Sequence, residues 1–147
     1  MDYKIPEHTE RQFILGGKAI FTLESGTTGR RYTYKIVNSK YHPEQMIVKL
    51  LIGSDNTKDY KAIGSIYRSS LRFDSFGFLT YDSYPMRAIK FFLEHIDNIP
   101  EALHVYHSGR CCFCGRELTT PEAIKRGYGR KCAKAKGLPY REKEVLL

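Results

Sequence analysis

The four cysteines, Cys111, Cys112, Cys114 and Cys132, fall within 22 residues, and the 110 residues before them contain none. A disulfide framework is spread along a chain, whereas close-set thiols kept reduced converge on a metal. Cys111-x-x-Cys114 followed by Gly115 has the form of a zinc knuckle. In such a knuckle two thiolates turn towards one tetrahedral centre and glycine permits the tight backbone. Cys132 supplies a third thiolate. His107, with Ser108-Gly109 allowing the chain to curl back, is the expected fourth ligand. Cys112 and His104 are the alternatives, because knuckle spacing does not specify the distant partner. Cys112 otherwise reads as a small buried hydrophobe beside the site. One structural Zn2+ per chain is the expected cofactor.

Between the knuckle and Cys132, Thr120 can cap a short helix with Pro121 in its first position, and Gly127 or Gly129 can end it. Residues 130–136 read as a second short helix carrying Cys132 in its first turn, where the helix dipole favours a thiolate. Together these make a treble-clef-like or zinc-ribbon-like module over residues 106–147.

Upstream, residues 1–105 read as an antiparallel sheet with one packed helix, giving an α+β chain that is either two parts or one continuous fold. Runs at 11–25 and 30–38, joined through Gly26-Thr27-Thr28-Gly29, form a hairpin. Tyr32, Tyr34 and Ile36 share one face of its second strand, with Arg31, Thr33 and Lys35 on the other. Further strands at 46–52, 60–67 and 71–81 extend a meander, with a turn at Gly53-Ser54-Asp55-Asn56. Ser83, Pro85 and the apolar spacing Met86, Ile89, Phe92, Ile96 mark a helix over 84–97, stopped by Asn98-Ile99-Pro100. Leu103 and Val105 suggest a short strand leading into the cysteines. A chain of 147 residues buries about 68–70% of its unfolded surface, so the sheet needs no metal to fold.

Of the net charge of +8, the segment from residue 106 onward carries +6, with 10 Lys/Arg against 4 Asp/Glu. A block of this kind favours polyanions or an acidic protein surface. Arg110, Arg116, Lys125, Arg126, Arg130, Lys131, Lys134 and Lys136 surround the cysteines, with Phe113 and Tyr128 as stacking platforms for bases. A second basic patch lies on the hairpin, where Arg30, Arg31 and Lys35 neighbour Tyr32 and Tyr34. No apolar run reaches membrane-spanning length, and Met-Asp-Tyr-Lys-Ile-Pro-Glu-His lacks a signal-peptide core, so a cytosolic protein is expected.

The run from His107 to Ala133 resembles a bacteriophage and prophage family of unknown function with the pattern H-x-G-R-C-x-x-C-G-R-x-L-T-x-P-E-S-I-x-x-G-x-G-P-x-C-A. Thr28-Gly29-Arg30-Arg31-Tyr32-Thr33-Tyr34 and Gly53-Ser54-Asp55-Asn56 with Asp59-Tyr60 resemble segments of its longer members. The resemblance implies phage origin, a bacterial host cytoplasm, and His107, Cys111, Cys114 and Cys132 as ligands. Ala123 and Arg130 depart from the pattern's Ser and Pro, which leaves those ligands in place.

Four thiolate-rich protein ligands close a zinc site and lower its Lewis acidity, which favours a structural metal over a catalytic one. A zinc deaminase needs His-x-Glu and Pro-Cys-x-x-Cys, whereas here Gly109 stands two after His107 and Arg110 precedes the knuckle. Phosphate loop, nucleophile elbow and His-Glu-x-x-His helix are also missing from the sequence. A non-enzymatic nucleic-acid-binding protein is therefore expected. The alternative is an anti-defence inhibitor or adaptor that binds a host protein, with Asp55, Asn56 and Asp59 as a polar contact loop or an ordinary turn.

Overall fold

The computed structural model describes residues 2–77, 79–80 and 82–140. The strands are β1 (Tyr3–Lys4), β2 (Lys18–Ser25), β3 (Arg31–Asn38), β4 (Gln45–Leu51), β5 (Tyr60–Tyr67), β6 (Phe73–Ser75) and β7 (Leu103–His107). The helices are α1 (Glu10–Ile14), α2 (Tyr84–Glu94), α3 (Pro121–Arg126) and α4 (Arg130–Lys136). All seven strands pair antiparallel in one sheet, in the order β1-β7-β2-β3-β4-β5-β6. Strands β2 to β6 form the expected meander, and β7 returns from α2 to slot between β2 and β1.

Alternation assigns the faces. Ala19, Phe21, Leu23, Tyr34, Ile36, Met46, Val48, Leu50 and Val105 are buried on one side. There Met86, Ile89, Phe92 and Leu93 of α2 pack at helical spacing. The Phe21 ring lies 5.4 Å from Phe92 and 5.6 Å from Tyr34. Tyr34 is fully buried, so its hydroxyl needs a partner, and it donates to the Pro85 carbonyl at 2.6 Å, tying β3 to the first turn of α2. On the opposite side Ile20, Thr22, Thr33, Lys35, Ile47 and Lys49 remain half-exposed.

Three sequence expectations change. Residues 11–25 are not one strand: α1 takes Glu10–Ile14, which puts the adjacent Phe13 and Ile14 both in the core. A strand would have sent them to opposite faces. The run 71–81 contributes only Phe73–Ser75, because Leu71 and Gly77 take positive φ (57° and 98°) and bend the chain out of register. The helix expected over 84–97 stops at Glu94, with His95 as its cap. Strand β1 is two residues long, too short for any periodicity to announce. One buried cluster runs from the sheet through Phe13 and Ile14 to Cys111, Cys112, Ala123, Tyr128 and Ala133, so packing continues across residue 105.

Replacing Tyr34 by Phe removes the side-chain bond that ties β3 to the first turn of α2 and leaves the space of the hydroxyl unfilled in the interior. Urea unfolding is expected to show a loss of about 1–2 kcal/mol with an unchanged m-value.

Candidate metal centre

The knuckle is a tight hairpin. Cys111 N–H donates to Arg116 O and Gly115 N–H to Cys111 O, both at 2.9 Å, while Arg110 and Glu117 form an antiparallel bridge. Thr120 caps α3, accepting from Ala123 N–H at 3.3 Å, and Gly127 closes the helix in the left-handed conformation (φ 84°). The chain then turns into α4, which carries Cys132.

This geometry brings the sulfurs of Cys111, Cys114 and Cys132 within 4.8 Å of one another, with Cys111 buried, Cys132 half-buried and Cys114 exposed. A metal–sulfur distance of about 2.3 Å in a tetrahedral site separates sulfurs by roughly 3.8 Å, so this donor set fits a soft or borderline divalent cation. Burial works to raise the Cys111 pKa. The backbone N–H groups of Cys114, Gly129 and Phe113 aimed at its sulfur outweigh burial and hold it below the ordinary thiol value. Cys132 goes the other way, pushed up to about 12 by burial and by the neighbouring sulfurs of Cys111 and Cys114. The α4 dipole, expected to favour a thiolate there, is outweighed by this crowding. A cation among the three sulfurs reverses the sign, since it stabilises all three thiolates together.

His107 does not join the sulfurs. It is buried on the inner face at the end of β7, where Nδ1 accepts from Gly109 N–H at 3.0 Å and Nε2–H donates to the Ile124 carbonyl at 2.7 Å. Both nitrogens are occupied, and the ring sits between Tyr3 (5.4 Å) and Phe13 (5.7 Å). Burial lowers its pKa, against the opposing pull of the Ile124 hydrogen bond. His104 lies beside Glu24, with Nδ1 at 3.3 Å from Oε1. Among the described residues, no further Cys, His, Asp or Glu side chain lies within that distance of all three sulfurs.

Cys112 is buried, and burial pushes its thiol well above the ordinary range. Its backbone clamps the knuckle in place, accepting from Lys18 N–H at 2.9 Å and donating to Gly127 O at 3.1 Å. At Gly16 any Cβ would lie 2.4 Å from the Cys112 carbonyl oxygen, so only glycine lets the end of α1 approach the knuckle this closely.

Of the expected nucleic-acid contacts, Arg110, Arg116, Lys125, Arg130, Lys131 and Lys134 are exposed, as is Lys136. Arg126 is half-buried and bound to Glu122 at 2.8 Å, so it is already engaged. Tyr128 is buried against Phe113 with its hydroxyl donating to Pro139 O at 2.7 Å, and it belongs to the core rather than to a stacking platform. On the hairpin, Arg31 pairs with both Glu24 and Asp2, and Arg30 lies over the Tyr84 ring at 4.0 Å. Sequence reasoning missed Gly16 and Lys18 as supports of the knuckle, because they touch it only through the fold.

Gly16→Ala is expected to lower stability by about 1–3 kcal/mol and to weaken metal retention, read by unfolding and by chelator competition. His107→Gln should keep the parent's metal stoichiometry, while Cys132→Ser should lose it, as elemental analysis would show. Because His107 is held neutral when folded, stability is present above the unfolded value of about 6.5 and is lost as pH falls below it towards the lower folded pKa. Subtracting the pH profile of His107→Gln from that of the parent isolates this contribution.

A family of unknown function, DUF6011, matches residues 101–135, a stretch that includes β7, the knuckle, α3 and the cysteine of α4. No curated protein and no solved structure matches the chain.

Proposed function

We propose that this is a non-enzymatic nucleic-acid-binding protein whose basic C-terminal module is folded around one structural Zn2+. The observation that carries the reading is the exposed set Arg110, Arg116, Lys125, Lys131 and Lys134 around three clustered sulfurs. Hairpin knuckle followed by a helix-borne cysteine is a treble-clef-like arrangement. Cys111, Cys114 and Cys132 hold the metal, and the fourth position falls to a ligand other than His107. Three thiolates lower the Lewis acidity of zinc, and a structural role further requires a protein ligand in the fourth position, because three protein ligands with an open position is the catalytic arrangement. Phage origin and a host cytoplasm draw support from the resemblance of the cysteine run and from thiols that need a reducing compartment.

Metal chemistry tests the first half. X-ray absorption of the zinc-loaded protein should show three sulfurs at about 2.3 Å and one lighter atom at about 2.0–2.1 Å. Four sulfurs would bring Cys112 into the site and overturn the ligand set.

Salt dependence tests the second half. Replacing Arg116, Lys125, Lys131 and Lys134 together by Gln should weaken binding to unrelated nucleic-acid sequences alike. The log–log salt slope should flatten by about 0.7–0.9 per lost phosphate contact, with zinc content unchanged. A parent protein that binds neither DNA nor RNA at low salt removes this reading.

An inhibitor or adaptor that docks on a host protein is the second reading, and one surface favours it. A groove of about 420 Å³ lies between the β2–β3 hairpin end and α2, with exposed Tyr84 and Phe91 on its walls and Arg30 and Arg87 beside them. Its apolar lining and two cations suit an acidic protein segment bearing an aromatic or aliphatic anchor.

A further inference from the structure

The outer face of the sheet carries three lysines on three successive strands. Lys35 of β3 and Lys49 of β4 are direct partners across the ladder, and Lys18 of β2 stands two residues along from Ile20, the partner of Lys35. Strand spacing of about 4.8 Å places the three columns within roughly 10 Å. Like charges directly opposite one another destabilise a sheet. Here they are uncompensated: none of the three pairs with a carboxylate among the described residues. The Lys35 ammonium lies 5.7 Å from the Tyr60 ring of β5. Its pKa is lowered by burial first and by Lys49 and Lys18 next.

The row is continuous with the candidate metal module. The Lys18 stem runs alongside the knuckle, with its Cδ 3.3 Å from where a Cβ at Gly115 would stand. The Gly115 carbonyl in turn accepts from the Arg110 guanidinium at 3.2 Å. The cations therefore form one track from Arg110 at the knuckle through Lys18 to Lys35 and Lys49, ending at Tyr60. Hydroxyls of Thr22 and Thr33, 2.7 Å apart, lie on the same face.

We propose that this open sheet face is a binding track for single-stranded nucleic acid, with Lys18, Lys35 and Lys49 on successive phosphates and Tyr60 as a base-stacking surface. The proposal rests on the nucleic-acid reading of the zinc module and extends its site across the sheet. Uncompensated repulsion between neighbouring strands is what a polyanion relieves on binding. An open sheet face edged by a tyrosine suits unstacked bases better than a duplex, whose bases are turned inward.

The test compares the parent with Lys35→Gln/Lys49→Gln, using fluorescence anisotropy on a labelled 30-nucleotide DNA and its duplex across a salt series. The double variant should bind the single strand about tenfold more weakly, with a slope lower by about 1.4 for two lost contacts. Its zinc content should be unchanged and its melting temperature equal or higher, since a repulsion has been removed. Equal affinity and slope for the variant and a binding parent overturn the track while leaving the module's role standing. A parent that binds no nucleic acid at low salt overturns both. Photo-crosslinking of the unaltered protein to a bromodeoxyuridine oligonucleotide keeps the test independent of any variant's folding. Adducts on the Tyr60 peptide support the track, and adducts confined to residues 110–136 overturn it.

Discussion

Three sulfurs gathered within 4.8 Å cannot all ionise without a cation between them, and the C-terminal module is built around that constraint. Backbone N–H groups favour the thiolate at Cys111, while burial and then the neighbouring sulfurs push Cys132 up to about 12. Charge is thus favoured at one sulfur and opposed at another, a conflict that a divalent cation would resolve. The sheet has its own apolar interior beneath α2, whereas α3 and α4 are short and bury only Ala123 and Ala133 between them. Two such helices gain little from their own burial, so the module's order rests on Cys111, Cys112, Leu118 and Tyr128 packing into the core it shares with the sheet, and a cation among the sulfurs would add to it.

What keeps that module against the sheet is a small set of backbone contacts and one imidazole. Cys112 bonds on one side to the start of β2 and on the other to the end of α3, and Gly16 permits the approach. His107 spans the same gap from within, its two nitrogens joining the turn after β7 to the Ile124 carbonyl of α3. Since the ring is buried, both hydrogen bonds are worth more than their exposed equivalents, and losing either leaves a polar group stranded. His107, the ligand expected from the sequence, thus braces the cysteine cluster from within the core.

The cations divide by their partners. Arg11, Arg31, Arg72 and Arg126 are committed to carboxylates. Lys18, Lys35 and Lys49, by contrast, face one another across the open sheet. A net charge of +8 understates this contrast, because much of the paired charge is silent towards a partner while the sheet lysines are not.

Local spacing determined a good deal by itself. The knuckle, the Thr120 cap, the helix carrying Cys132 and the inward face of Tyr34 and Ile36 all follow from residues a few positions apart. Such features depend on helix and strand periods that the chain carries with it. Tertiary structure decided the rest. Whether His107 points at the three sulfurs or into the core depends on Tyr3, Phe13 and Ile124, which are remote in sequence and adjacent only when β1, α1 and α3 converge. The turn of 10–14 into helix depends on a core that takes Phe13 and Ile14 together. The alignment of Lys18, Lys35 and Lys49 depends on strand register, a long-range quantity set by which side chains the sheet buries against α2.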